Sequence, residues 1–154
     1  MWTRTIAIAG MIATLGFAVC AEAAEAEIGW IKSVAGEAHV VRGDAREAAT
    51  LGQPVHEGDR LETGPDGSIG VTFTDNTVMS AGPNSSVVLE NYRYDAAAFE
   101  GNMLTELQKG TLAVTTGDIP RTSPEAMRVR TPAAVLGVRG TRFLVKASGA
   151  GKGS

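Results

Sequence analysis

Beyond Ala26 the sequence is divided into short apolar runs by Gly, Pro, Asp and Asn, and that punctuation limits what the chain can fold into. A stable helix needs about 12 residues or more of unbroken 3.6-residue periodicity, whereas most runs here last four to seven residues. Such spacing predicts an all-β architecture. Residues 28–31, 37–41, 60–63, 78–80, 86–90 and 112–115 are strand candidates. The clearest is 68–74, where Ile69, Val71 and Phe73 alternate with Ser68, Gly70, Thr72 and Thr74. A side-chain period of two with one apolar face marks a half-buried strand. Between the runs lie turn residues: Arg42-Gly43-Asp44, Glu57-Gly58-Asp59, Gly64-Pro65-Asp66-Gly67, Asp75-Asn76-Thr77 and Gly82-Pro83-Asn84-Ser85. Glycine accepts positive φ, and Asp and Asn bond their own backbone.

Two regions are less regular. Phe99, Met103, Leu104 and Leu107 fit one face of a helix, while Met103, Thr105 and Leu107 fit a strand. The β surroundings favour the strand. In the last third, Val129, Val135, Val138, Phe143 and Val145 recur, with Leu136 and Leu144 on the opposite parity. Apolar residues on both parities predict strands covered on both faces. Residues 147–154 carry almost nothing to bury, so they read as a disordered tail. Periodicity leaves open a compact β-sandwich or a short-stranded β-solenoid.

The N-terminus has a different character. Arg4 precedes an apolar run from Ile6 to Cys20, and Ala21-Glu22-Ala23 ends it with small residues. Basic, apolar and small-residue regions in that order predict a cleaved signal peptide over 1–23. The run is shorter than the roughly 20 residues that span a bilayer. The β domain is therefore expected over 24–146, periplasmic or secreted, and not integral to a membrane after cleavage. Cys20 is the chain's one cysteine, so the mature domain is held by its core rather than by disulfides. The formal charge of −3 offers no electrostatic footprint for nucleic acid.

Catalytic chemistry is hard to assemble from these residues. His39 alternates within a strand and His56 precedes a turn. Two separate histidines do not make a zinc site. Asp66, Asp75, Asn76 and Asn84 are dispersed one per turn, unlike the clustered oxygens of a calcium loop. No Gly-x-Ser-x-Gly elbow is present. Gly137-Val138-Arg139-Gly140 lacks the Gly-Lys-Ser/Thr ending of a phosphate loop. No cofactor, metal or catalytic residue is expected. A general base or nucleophile for an unrecognised hydrolase does not stand out.

The C-terminal third carries a motif of another kind. Val129 to Phe143 contains Thr131-Pro132, a short apolar run, Gly137-Val138-Arg139-Gly140-Thr141 and then Phe143. It resembles the signature of the FecR domain family. Three earlier segments match in order: Val34-Ala35-Gly36-Glu37-Ala38, then Leu51 to Gly64 with Gly58-Asp59 inside it, then Val71 to Thr77 with Asn76 where the family has Gly. The resemblance implies a β-rich, non-catalytic binding or sensing domain of the bacterial envelope, acting in signalling or assembly. In iron-uptake regulators such a domain receives a signal from an outer-membrane transporter and passes it towards a cytoplasmic sigma factor. Counterparts of those regulators' cytoplasmic segment, transmembrane helix and C-terminal αβ subdomain are not expected from this sequence. A protein partner in the envelope is therefore expected, without direct sigma-factor contact. A glycan-associated surface module is the alternative, with Trp30, Tyr92 and Tyr94 as its aromatic candidates. Within the motif, Gly137 and Gly140 are expected to allow close backbone approach or a bulge. Thr131-Pro132 is expected to set an extended backbone. Arg139, between glycines, is suited either to an internal salt bridge or to gripping a partner's carboxylate. Arg128, Arg130 and Arg142 are expected on solvated strand faces.

Overall fold

A computed structural model describes residues 25–122, 125–138 and 142–149. The expected signal peptide lies outside these residues, as do Arg139, Gly140 and Thr141 of the motif. Among the described residues the chain forms β1 (Glu27–Ala35), β2 (Ala38–Arg42), β3 (Ala45–Ala48), β4 (Pro54–His56), β5 (Arg60–Thr63) and β6 (Ser68–Phe73). These are followed by β7 (Val78–Ala81), β8 (Ser86–Asp95), β9 (Glu100–Thr115), a single helical turn α1 (Ile119–Thr122), β10 (Met127–Arg130), β11 (Val135–Gly137) and β12 (Arg142–Ala147). The all-β expectation holds, and Met103 to Leu107 is strand, with Phe99 in the turn before it at a φ of +53°. The pairing is antiparallel except where β10 runs parallel to β9, so the sheet curls like one side of a barrel. A solenoid of stacked parallel coils would pair differently.

One strand organises the rest. The sequence suggests two short runs at 99–107 and 112–115, but they form a single 16-residue strand, β9. Its first half pairs with β8 on one side and β10 on the other. Its second half pairs with β7 and β12. From β8 the ladder continues through β5 and β2 to β3; from β7 it continues through β6 and β1 to β4. The two halves fold their apolar faces towards each other. Ile31, Val71, Phe73, Met79 and Leu112 from one half meet Val40, Leu61, Leu89, Met103 and Leu107 from the other in a single buried cluster.

The change of direction falls at Gly110, whose φ of +94° is left-handed. Here pairing with β8 ends and pairing with β7 begins. Ser85 fills the gap: its Oγ accepts the Thr111 N–H at 3.0 Å and lies 3.2 Å from the Thr111 carbonyl. Thr63 Oγ1 donates to the Gly82 carbonyl at 2.6 Å and accepts the Ser85 N–H at 2.9 Å. A β-carbon on Gly110 would run into the Ser85 side chain and its Cα.

Two sequence expectations are corrected. Strands in the last third are not covered on both faces: Met127, Val129, Val145 and Ala147 are buried, while Val135, Leu136 and Leu144 are exposed. β10 and β12 are buried on one parity only, and β11 on neither, since the adjacent Val135 and Leu136 are both exposed. Ala147, placed in the tail by its sequence, closes β12 opposite Gly110 and is buried.

Gly110→Ala should lower stability by about 2 kcal/mol or more in denaturant titration, through backbone strain and the clash with Ser85. Gly137→Ala, where a β-carbon meets open space, should change it by about 0.5 kcal/mol or less.

Candidate functional site

Burying a carboxylate is costly unless hydrogen bonds replace its water. Two buried aspartates therefore mark where polar chemistry is concentrated. Asp59, at the start of β5, is fully buried. Its Oδ1 accepts from Arg42 Nε at 2.8 Å and its Oδ2 from Arg42 NH2 at 2.7 Å, a bidentate grip. Oδ2 also accepts the His56 N–H at 2.9 Å. The preceding turn docks on β8: Gly58 N–H donates to the Leu89 carbonyl at 2.6 Å, and Leu89 N–H to the Asp59 carbonyl at 2.9 Å. Gly58 reaches this position through a φ of +87°. Asp59 and its turn thus pin the ends of β2 and β4 and the start of β5 to Leu89 within β8. Arg42 NH2 also lies 2.6 Å from His56 Nδ1. A guanidinium has no acceptor, so this nitrogen receives the bond and the ring proton sits on Nε2.

Asp75 is likewise buried, in the β6–β7 turn. Its Oδ2 accepts the Thr77 hydroxyl at 2.7 Å and its Oδ1 the Tyr92 hydroxyl at 3.1 Å. The Tyr92 oxygen accepts the Asp75 N–H at 3.0 Å and meets Thr74 Oγ1 at 2.8 Å. Asp118 N–H donates to the Asp75 carbonyl at 2.8 Å, and Gly117 N–H to Thr77 Oγ1 at 3.0 Å, which ties the segment after β9 to this turn. Asn76 takes the left-handed conformation, φ +66°, that its Gly-like place requires. The Tyr92 ring stacks on Phe73 with centroids 5.5 Å apart. Burial pushes the Tyr92 phenol well above its ordinary pKa, and the Asp75 charge adds to the effect.

His56 does stand beside a buried acid, with Nδ1 3.8 Å from Asp59 Oδ2. Arg42, not a serine, completes that trio. A Ser-His-Asp relay needs a hydroxyl on the imidazole, and here the guanidinium occupies Nδ1 while the carboxylate is held at both oxygens. His39 is half-buried, with Nδ1 3.2 Å from Arg46 NH2. Among the described residues no three His, Cys, Asp or Glu side chains group as metal ligands would.

The C-terminal motif has a different geometry from its sequence reading. Thr131 and Pro132 form the β10–β11 turn instead of an extended lead-in. Thr131 N–H donates to the Ala134 carbonyl at 2.7 Å, and Thr131 Oγ1 accepts the Ala134 N–H at 3.1 Å. Gly137 has open space where a side chain would stand, so close backbone approach is not its role. Phe143 is half-buried against the core. Arg128, Arg130 and Arg142 are exposed as expected, though Arg130 NH1 bonds Glu90 Oε1 at 2.9 Å. Of the aromatics suggested for a glycan platform, Tyr92 is removed by burial. A groove of about 640 Å³ follows the outer side of β9 beside β10, lined by Asn91, Asn102, Leu104, Arg128, Arg130 and Val135. Sequence reading missed Arg42 and the core role of Tyr92, since both act on residues distant in the chain. The Asp75-x-Thr77 spacing was the one local signal for the second network.

The fold is all-β, and the buried polar groups of these two networks hold strands and turns together. The pattern that defines the FecR protein family matches residues 59–152, more than half of the chain. The chain belongs to the FecR family. Comparisons with curated proteins and with solved structures return no match. The match begins at Asp59, and β1–β4, which precede it, are hydrogen-bonded into the same sheet.

Asp59→Asn places an amide against Arg42 and the His56 N–H, and should cost about 2–4 kcal/mol of stability by thermal or chemical denaturation. Tyr92 yields a pH dependence. Its folded pKa is raised, so above the unfolded phenol value of roughly 10 the native state holds a proton that the unfolded chain has lost. Stability is full below that pH and falls as pH rises through it. Tyr92→Phe should lower stability by about 1–3 kcal/mol at neutral pH and flatten the decline between pH 10 and 12.

Proposed function

We propose that this chain is a non-catalytic extracytoplasmic binding domain that acts in envelope signalling or assembly by contact with another protein. The observation that carries it is the contrast between the two sides of the molecule. Asp59 and Asp75 spend their oxygens on holding strands together, which leaves neither carboxylate free to react. Large apolar side chains, by contrast, stand in water, and three of the six among the described residues lie on the last strands, Val135 at 57%, Leu136 at 41% and Leu144 at 69% exposure, the others being Leu51, Val78 and Phe99. Apolar groups left in water beside open strand edges favour association with a partner. The signal-like segment at 1–23 supports export, and membership of a regulatory family supports signalling. No helix among the described residues is long and apolar enough to cross a membrane.

A photo-crosslinker placed at Val135, Leu136 or Leu144 of the full chain, expressed in its native cells, should capture a discrete envelope protein. The same group at Glu47 on β3 should not. Absence of a discrete adduct from all three positions would remove the binding reading.

A further inference from the structure

Two later strands flank β9, β10 along its first half and β12 along its second, and they are finished differently. β10 carries β11 on its outer edge. β12 pairs with β9 alone, and no described strand lies on its other edge. That edge offers a row of backbone donors and acceptors, the template for an added strand. Its side chains alternate. Phe143, Val145 and Ala147 turn to the core, while Arg142, Leu144 and Lys146 stand outward and exposed. Leu144 rises above a floor of small residues, Ala113, Ser80 and Gly70 in register across β9, β7 and β6.

Charge completes the pattern. After Glu125 the sequence contains no acid, although the whole chain holds 17, and it contains six bases: Arg128, Arg130, Arg139, Arg142, Lys146 and Lys152. The protein is acidic overall at −3, yet this segment, with six of the chain's 14 bases and none of its acids, is purely basic. Arg130 is engaged by Glu90. Among the described residues no carboxylate pairs with Arg142 or Lys146.

We propose that the open edge of β12 binds an extended acidic peptide segment of a protein partner as an added strand, with acids opposite Arg142 and Lys146 and apolar side chains continuing the core face beyond Phe143 and Val145. This rests on the binding reading above and names the partner's chemistry. Backbone pairing supplies the attachment, and the alternating outer side chains select the sequence. A second copy of the chain is a poor occupant, because antiparallel pairing of two β12 edges sets Arg142 against Lys146, like charge against like.

The test uses the full chain and a fluorescent nine-residue peptide alternating glutamate with valine. Anisotropy should report binding that weakens as salt rises. Lysine in place of glutamate, or N-methylation of alternate amides, should abolish it. Arg142→Glu with Lys146→Glu, both exposed and therefore compatible with folding, should weaken binding roughly tenfold or more with the melting temperature unchanged. Hydrogen exchange should slow at amides of 142–147 on addition of peptide. Binding that tolerates N-methylation, equal binding of the lysine peptide, or no binding would overturn the proposal. So would a preference of this face for heparin or phosphatidylglycerol vesicles over the peptide, or self-association through β12. If the charge-reversed chain still captures its envelope partner by crosslinking, the edge assignment fails while the binding reading stands.

Discussion

A strand shared by the two halves of a sheet must turn without losing its hydrogen bonds, and β9 meets that demand at Gly110. A buried backbone amide without a partner costs as much as a lost hydrogen bond. Where the ladder passes from β8 to β7, Ser85 supplies the missing partner through its side chain, and Thr63 fixes Ser85 in turn. Four neighbouring strands take their register from the two halves of β9. The aspartate networks then close the periphery, Asp59 at one end of the sheet and Asp75 at the turn that faces α1. Packing, corner and clamps are thus successive consequences of one long strand with a glycine at its bend.

Much of this was legible locally. The alternation of Ile69, Val71 and Phe73 gave β6, and the turn dipeptides gave most strand boundaries, because both signals lie within a few residues. Asn76 in a Gly-like place was readable as a left-handed turn for the same reason. The union of 99–107 and 112–115 was not readable. Lys109-Gly110 looks like a turn, and only the contact with Ser85, 25 positions earlier, makes it a bend within one strand. Val135, Leu136 and Leu144 misled because hydropathy predicts burial, whereas β11 is exposed on both faces and Leu144 stands on the outer face of β12. The Arg42–Asp59 pair spans 17 residues with no spacing rule to reveal it.

For the candidate site, the family motifs pointed to the right segments and to the wrong roles in part. Gly58-Asp59 is indeed a fixed structural point. Thr131-Pro132 is a hairpin turn, and Gly137 is open to solvent. What distinguishes the C-terminal third is not a reactive group but an uncapped edge with basic and apolar side chains outward, a property of the sheet that no single residue carries.

The placement of β12 also bears on the order in which the chain can assemble. Synthesis delivers β1 through β8 first, yet the strand that joins both halves is ninth and its last neighbour is at the far C-terminus. Contacts between residues far apart in sequence require large loops to close before they are rewarded. The early strands can pair among themselves, but the edges of β7 and β8 that receive β9 stay open until it has emerged. A carrier that keeps the chain extended until synthesis is complete would suit this topology, and a truncation before Arg142 would leave the second half of β9 exposed along a whole side.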